Sequence, residues 1–161
     1  MDLKSAKVNS VLIEAGEWVK DIPGMDDLAL KVRGLGCIEA KNFMSRRVRA
    51  LPKGTMNRDG TFPPALQERL LTEQCIEVLL LDWENLTEDK TTVPYSKEKA
   101  RELLTNPDYR PLKDAVLWAA NTLASGEALA DGEILGNSPP TSNGSTAGAE
   151  ITTSSLPITS E

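Results

Sequence analysis

Residues 75–83 read CIEVLLLDW, so Val78, Leu79, Leu80 and Leu81 stand together in the middle of a chain otherwise rich in charge. A segment that is apolar on several sides has to be surrounded, which places it at the centre of a core, either this chain's own or one shared with another subunit. The first is the expectation. Upstream, Pro63 and Pro64 suit the first turn of a helix that Leu66, Leu70, Leu71 and Ile76 carry to about Leu81. CIEVLLLDW also fits a buried strand, and periodicity alone does not separate the two.

The cover for this segment is written on both sides of it. In the first third, Val11-Leu12-Ile13, a turn at Gly16-Glu17, Trp18-Val19, a turn at Pro23-Gly24 and the run Leu28 to Arg33 describe a small antiparallel meander. Within the last run Leu28, Leu30 and Val32 alternate with Ala29, Lys31 and Arg33, the period of a strand with one wet face. Gly34 and Gly36 end it. From Ile38 to Leu51 the residues Ala40, Phe43, Met44, Val48 and Leu51 recur at three and four, forming one helical stripe, with Arg46, Arg49 and Lys53 on the other side. Pro52 and Gly54 stop that helix, and the Gly- and Pro-dense stretch around Asp59-Gly60 reads as a mobile loop able to order on a partner.

Downstream, Ser96 is a good N-cap for a helix over Lys97 to Thr105, although Lys99 at the third position rules out a reciprocal capping box. Asn106-Pro107-Asp108 ends it and opens the last helix. That helix puts Leu112, Ala115, Val116, Ala119 and Leu123 on one stripe, with Pro111 in its first turn, Gly126 at its end and Trp118 on the flank.

From about Asp131 the chain changes to Ser, Thr, Gly, Pro and Asn, a composition that buries too little apolar surface to offset chain entropy. The plan is therefore one compact α+β domain, mainly α, over 1–128, with the meander in 5–34 and about four helices in 35–128. A disordered tail over 129–161 follows. Of the formal charge of −6, five acids with no base fall from Glu127 onward, leaving 18 basic against 19 acidic groups ahead of them. A near-neutral body lacks the positive face that nucleic acid requires. No apolar run approaches the ~20 residues of a membrane span, and MDLKSAKVNS has no apolar signal core, so a soluble cytoplasmic chain is expected.

Catalytic chemistry finds little to stand on. The chain has no histidine, which removes the commonest general base and metal ligand together with the Ser-His and Cys-His pairings. Cys37 and Cys75 are far apart in apolar surroundings, as buried thiols are in a reducing compartment. Asp82, Glu84, Glu88 and Asp89 match no calcium-loop spacing, and no phosphate-binding or dinucleotide fingerprint occurs. No enzyme, cofactor or metal is expected.

What the sequence does show is segregated charge. Six bases and no acid lie between Lys41 and Arg58, and six acids and no base between Glu73 and Asp89. The two runs either form separate solvated faces or meet, within an assembly, across subunits or a partner. Arg47 bears on this, because it falls inside the apolar stripe, where an isolated charge must snorkel or pair.

The order EWVKDIP, LALKVRGLG, RRVRALP, LLLDWENLTEDKTTVPYSKEKARELL, PDYRPLKDAVLWAANTLA resembles the tail assembly chaperones of long-tailed bacteriophages and prophages, over residues 10–126. The most diagnostic piece is an apolar helix ending in Asp-Trp-Glu, a turn, Pro-Tyr-Ser and a Lys/Glu-rich helix ending Leu-Leu. Where members often carry an Asp-Gly turn, this chain has Asp89-Lys90-Thr91-Thr92. The resemblance implies a non-catalytic protein of the host cytoplasm, absent from the mature virion. It would act as a homo-oligomer, binding the tape-measure protein and handing it to the tail tube protein. A structural tail completion or head-tail joining protein of the virion is the alternative. The candidate client or subunit contacts are Arg46, Arg47, Arg49, Lys53, Glu84, Glu88 and Asp89; Trp83, Tyr95 and Trp118 are candidate structural anchors.

Overall fold

A chain with this pattern must close a short sheet over a helical layer, and the elements do so in an order that the local signals explain. The structure is a computed structural model that describes residues 2–127; the tail expected over 129–161 lies outside the described residues. Helix α1 is Ser10–Ala15, strand β1 Glu17–Val19, β2 Ala29–Val32, helix α2 Ile38–Arg49 and α3 Pro64–Gln74. A π-helical turn over Cys75–Leu79 leads into β3, Leu80–Glu84, and then a small hairpin of β4, Thr87–Glu88, and β5, Thr91–Thr92. Helix α4, Lys97–Thr105, a 3-10 turn and α5, Arg110–Ser125, complete the fold. The α+β, mainly α class is the one expected, with four helices after the first two strands.

Two expectations are corrected. Val11-Leu12-Ile13 is helical, not a strand, because both ends of the segment are capped: the Asn9 side chain accepts from Leu12 N at 3.3 Å, and Gly16 follows at φ 92°. Leu12 and Ile13 pack on the core while Val11 stays 71% exposed, the one-sided burial of a surface helix. A side chain at Gly16 would be strained at that φ, and its Cβ would lie 2.5 Å from Leu81 Cδ1 and 3.2 Å from Val32 O.

The second correction concerns CIEVLLLDW. Helix α3 ends at Gln74, and the segment expected to continue it to Leu81 unwinds through the π turn into β3. The reason is the unpaired edge of β2. The sheet runs β1-β2-β3, antiparallel throughout, with Val19 opposite Leu30, Leu30 opposite Trp83 and Lys31 opposite Asp82. Without β3 the buried backbone groups along one side of β2 would lack partners. The meander's third strand thus comes from residue 80, and Asp-Trp-Glu ends a strand instead of a helix.

One apolar cluster runs from Val19 to Leu123, and Leu30, Val32, Ile76, Leu79, Leu80, Val116 and Leu123 are the largest of its fully buried side chains. α5 lies across β2 and the π turn, presenting the expected stripe of Leu112, Ala115, Val116, Ala119 and Leu123, all buried. Its end is the expected one, with Gly126 in the left-handed region at φ 83°. Cys37 and Cys75 are both free and fully buried, and burial pushes the Cys75 thiol up to about 12.

Candidate functional site

Helix α2 has no side-chain N-cap of its own. The carboxylate of Glu14, on α1, accepts from Ile38 N at 2.9 and 3.2 Å, placing negative charge at the positive end of α2. Ala40 and Phe43 turn inward and are buried, and Gln74 Nε2 donates to Ala40 O at 3.2 Å, tying α2 to the end of α3. The opposite side of α2 carries Lys41, Arg46 and Arg49 in solvent.

Arg47 resolves the conflict seen in its sequence position by snorkelling and pairing at once. Its guanidinium lies over the Phe43 ring, 5.4 Å from the centroid, and Nη2 reaches Glu73 Oε2 at 2.9 Å. Glu73 also accepts from Arg69 Nε at 3.2 Å. The basic and acidic runs therefore meet inside one chain, at a partly exposed contact worth no more than about 1 kcal/mol.

Between α2 and the π turn this leaves a cleft of about 650 Å³, lined by Arg33, Glu39, Phe43, Arg46, Arg47, Ala50, Glu77 and Val78. Phe43, Ala50 and Val78 supply its apolar part. Arg33 is fixed beside it, donating through Nε to Glu14 O at 3.1 Å and through Nη1 to Val78 O at 3.3 Å. Glu77 accepts from Lys97 Nζ at 3.1 Å and pairs with Arg101, and the Lys97 hydrogen bond, with the two cations' charge, holds its carboxyl below the usual range. Among the described residues, Arg46 and Arg49 have no ion-pair partner.

The remaining candidate contacts lie elsewhere. Lys53 follows α2 in the loop, exposed. Glu84 ends β3, Glu88 is in β4 with Oε2 4.0 Å from Lys99 Nζ, and Asp89 sits in the hairpin turn. None of these acids lines the α2 cleft. Asp89 and Lys90 have φ of 49° and 65°, so both central residues of this two-residue turn are left-handed, the signature of type I′.

Of the three anchors, two hold the connector. Trp83 is 5% exposed, its Nε1 donates to Val93 O at 2.7 Å, and it meets Tyr95 edge to face at 4.8 Å between centroids. The Tyr95 hydroxyl donates to Leu80 O at 3.2 Å, and burial, reinforced by the negative charge of Asp82 and Glu77, raises its pKa. Trp118 instead stands 39% exposed on the outer flank of α5. Sequence reasoning missed Lys113, which is buried on α5 and pairs with Glu68 of α3; nothing local marks a partner 45 residues away.

Among the described residues no group of side chains is arranged to hold a metal ion, and no helix is long and apolar enough to cross a membrane. The family model described as YdaY prophage protein matches residues 38–137, more than half of the chain, starting with α2 and including the π turn, while Arg33 of the cleft lies ahead of it. No curated protein and no solved structure matches the chain.

Proposed function

We propose that this chain, which belongs to the YdaY prophage protein family, is a phage tail assembly chaperone: a non-catalytic protein that binds the tape-measure protein and promotes assembly of the tail tube. The supporting observation is the α2 cleft. Its apolar part is formed by Phe43, Ala50 and Val78, and on its rim Arg46 is exposed with no ion-pair partner among the described residues. That arrangement accepts apolar anchor residues from an amphipathic helix and meets acidic residues flanking them, the helix-in-groove mode of peptide recognition. A cleft of about 650 Å³ takes a few side chains, so a long client needs many copies of the chaperone along it.

The paired groups of the site have the complementary task. Arg47 and Glu77 are held by Glu73, Lys97 and Arg101, which keeps the walls in place and leaves the unpaired arginines to contact the client. Charge at such a rim sets encounter rate and register more than affinity.

Co-expression with the tape-measure protein of the same prophage tests the reading. The wild-type chain is expected to keep that protein soluble and to co-purify with it, and Arg46→Glu/Arg49→Glu to lose the complex while remaining folded. A charge-reversed chain that behaves as wild type would count against the cleft. Recovery of the protein in stoichiometric amount from purified virions would instead favour a structural tail completion or head-tail joining role.

A further inference from the structure

A second cleft, of about 380 Å³, lies between the β1–β2 connection, the β4–β5 hairpin and the start of α5. Met25, Leu86, Val93, Leu103 and Leu112 give it an apolar lining, the first three only partly buried. Its rim is acidic, with Asp26, Asp27, Glu88 and Asp108. Lys99 is the single cation among the lining residues, and it is already engaged by Glu102 at 3.0 Å and Glu88 at 4.0 Å. Among the described residues Asp26, Asp27 and Asp108 have no ion-pair partner.

The same chain carries a segment with the inverse character. In the loop between α2 and α3, Met56 is 49% exposed, and Lys53 and Arg58 flank it in solvent. The loop is shaped from within: Thr55 Oγ1 donates to Pro52 O at 2.6 Å, Asn57 N to Thr61 O at 2.7 Å, and Thr61 to the Asp59 carboxylate through both N and Oγ1. Asp59 is thereby occupied, and the loop presents one flexible apolar side chain between two cations. No residue of the loop lines the second cleft of its own chain.

We propose that this loop is the occupant of that cleft on a second copy, with Met56 seated among Met25, Leu86 and Val93 and with Lys53 and Arg58 against the acidic rim. Apolar fit and charge agree: methionine fills irregular apolar gaps, and complementary potentials fix register. Loop and cleft are different surfaces, so the contact is head-to-tail and propagates from copy to copy, closing as a ring or extending as a filament. It uses neither Arg46 nor Ala50 and stands independently of client binding.

Mixing two interface-deficient full-length chains tests it. Met56→Asp disables the loop, and Asp26→Asn/Asp27→Lys disables the rim; asparagine tolerates the left-handed φ of 45° at position 26. By light scattering across a hundredfold dilution series, the wild type is expected to grow in mass with concentration and shrink with salt. Each variant should lose at least about tenfold in association constant while keeping its melting temperature. An equimolar mixture of the two should form dimers and stop there, because each pair retains one intact contact. A wild type that stays monomeric, variants that associate as the wild type does, or a mixture that stays monomeric overturns the proposal. So does a monomeric wild type whose cleft binds the peptide KGTMNR, which would assign the cleft to another basic partner. If Met56→Asp unfolds the chain, Met56→Ala provides the same reading.

Discussion

Replacing Trp83 by phenylalanine isolates what holds the connector between β3 and α4. The indole N–H is the donor to Val93 O at 2.7 Å, and phenylalanine leaves that carbonyl without it, a loss of about 1 kcal/mol. The smaller ring also vacates part of a site that is 5% exposed in the wild type. At about 25 cal/mol per Å² over roughly 40 Å² of lost apolar contact, this adds about 1 kcal/mol, and a poorer edge-to-face contact with Tyr95 adds about 0.5 kcal/mol. The sum is about 2.5 kcal/mol. For a urea slope of about 2 kcal/mol per M, the midpoint falls by about 1.2 M with the slope unchanged. Urea unfolding followed by far-ultraviolet circular dichroism measures it, and a Trp83→Leu/Tyr95→Leu cycle should return a coupling of about 0.5–1.5 kcal/mol. A loss below about 0.5 kcal/mol, the range of an unremarkable surface substitution, would refute the anchoring of the connector by Trp83.

Three further outcomes follow from the same geometry. Lys90→Gly relieves a left-handed φ of 65° in the type I′ turn and should stabilise the chain by about 0.5–1 kcal/mol in the same urea assay; a destabilised variant would show that the Lys90 side chain matters more than its backbone. Neither Cys37 nor Cys75 should react with a thiol reagent at pH 8 in the native chain, and both should react once urea unfolds it; fast native labelling would contradict their burial and the Cys75 pKa of about 12. Glu77 has a folded pKa below its ordinary 4.5, so its ionised form contributes stability above that value and loses the contribution as pH falls through the folded pKa. The stability gap between wild type and Glu77→Gln should therefore be open at pH 7 and close on acidification, and a gap that widens in acid would reverse the sign.

How much of this was legible depended on whether the signal was local. α2, α4 and α5 could be read because each pairs an apolar stripe with a stop or a cap within a few residues: Pro52 and Gly54, Ser96, Gly126. α1 was missed because three β-branched or apolar residues in a row look like a strand, whereas the decisive groups are Asn9 and Gly16 on either side. CIEVLLLDW was ambiguous for a physical reason, since Val78 to Leu81 are apolar at every position and so show no period. Its identity as a strand depends on pairing with β2, about fifty residues earlier in sequence. Arg47 was recognisable as a charge needing a partner, while the identity of that partner, Glu73, came from the packing of α3 on α2. The Glu14 carboxylate that caps α2 left no trace in the sequence near Ile38.

The most direct measurement of the central claim is calorimetric titration of the tape-measure protein's helical segments into wild type and into Ala50→Trp. Ala50 is exposed, ends α2 and lines the cleft, so an indole there fills the binding space without entering the core. The account predicts binding by the wild type and a loss of at least about tenfold, or about 1.4 kcal/mol, in the filled-cleft variant, with melting temperature preserved. Equal affinity of the two chains for the tape-measure protein would contradict it.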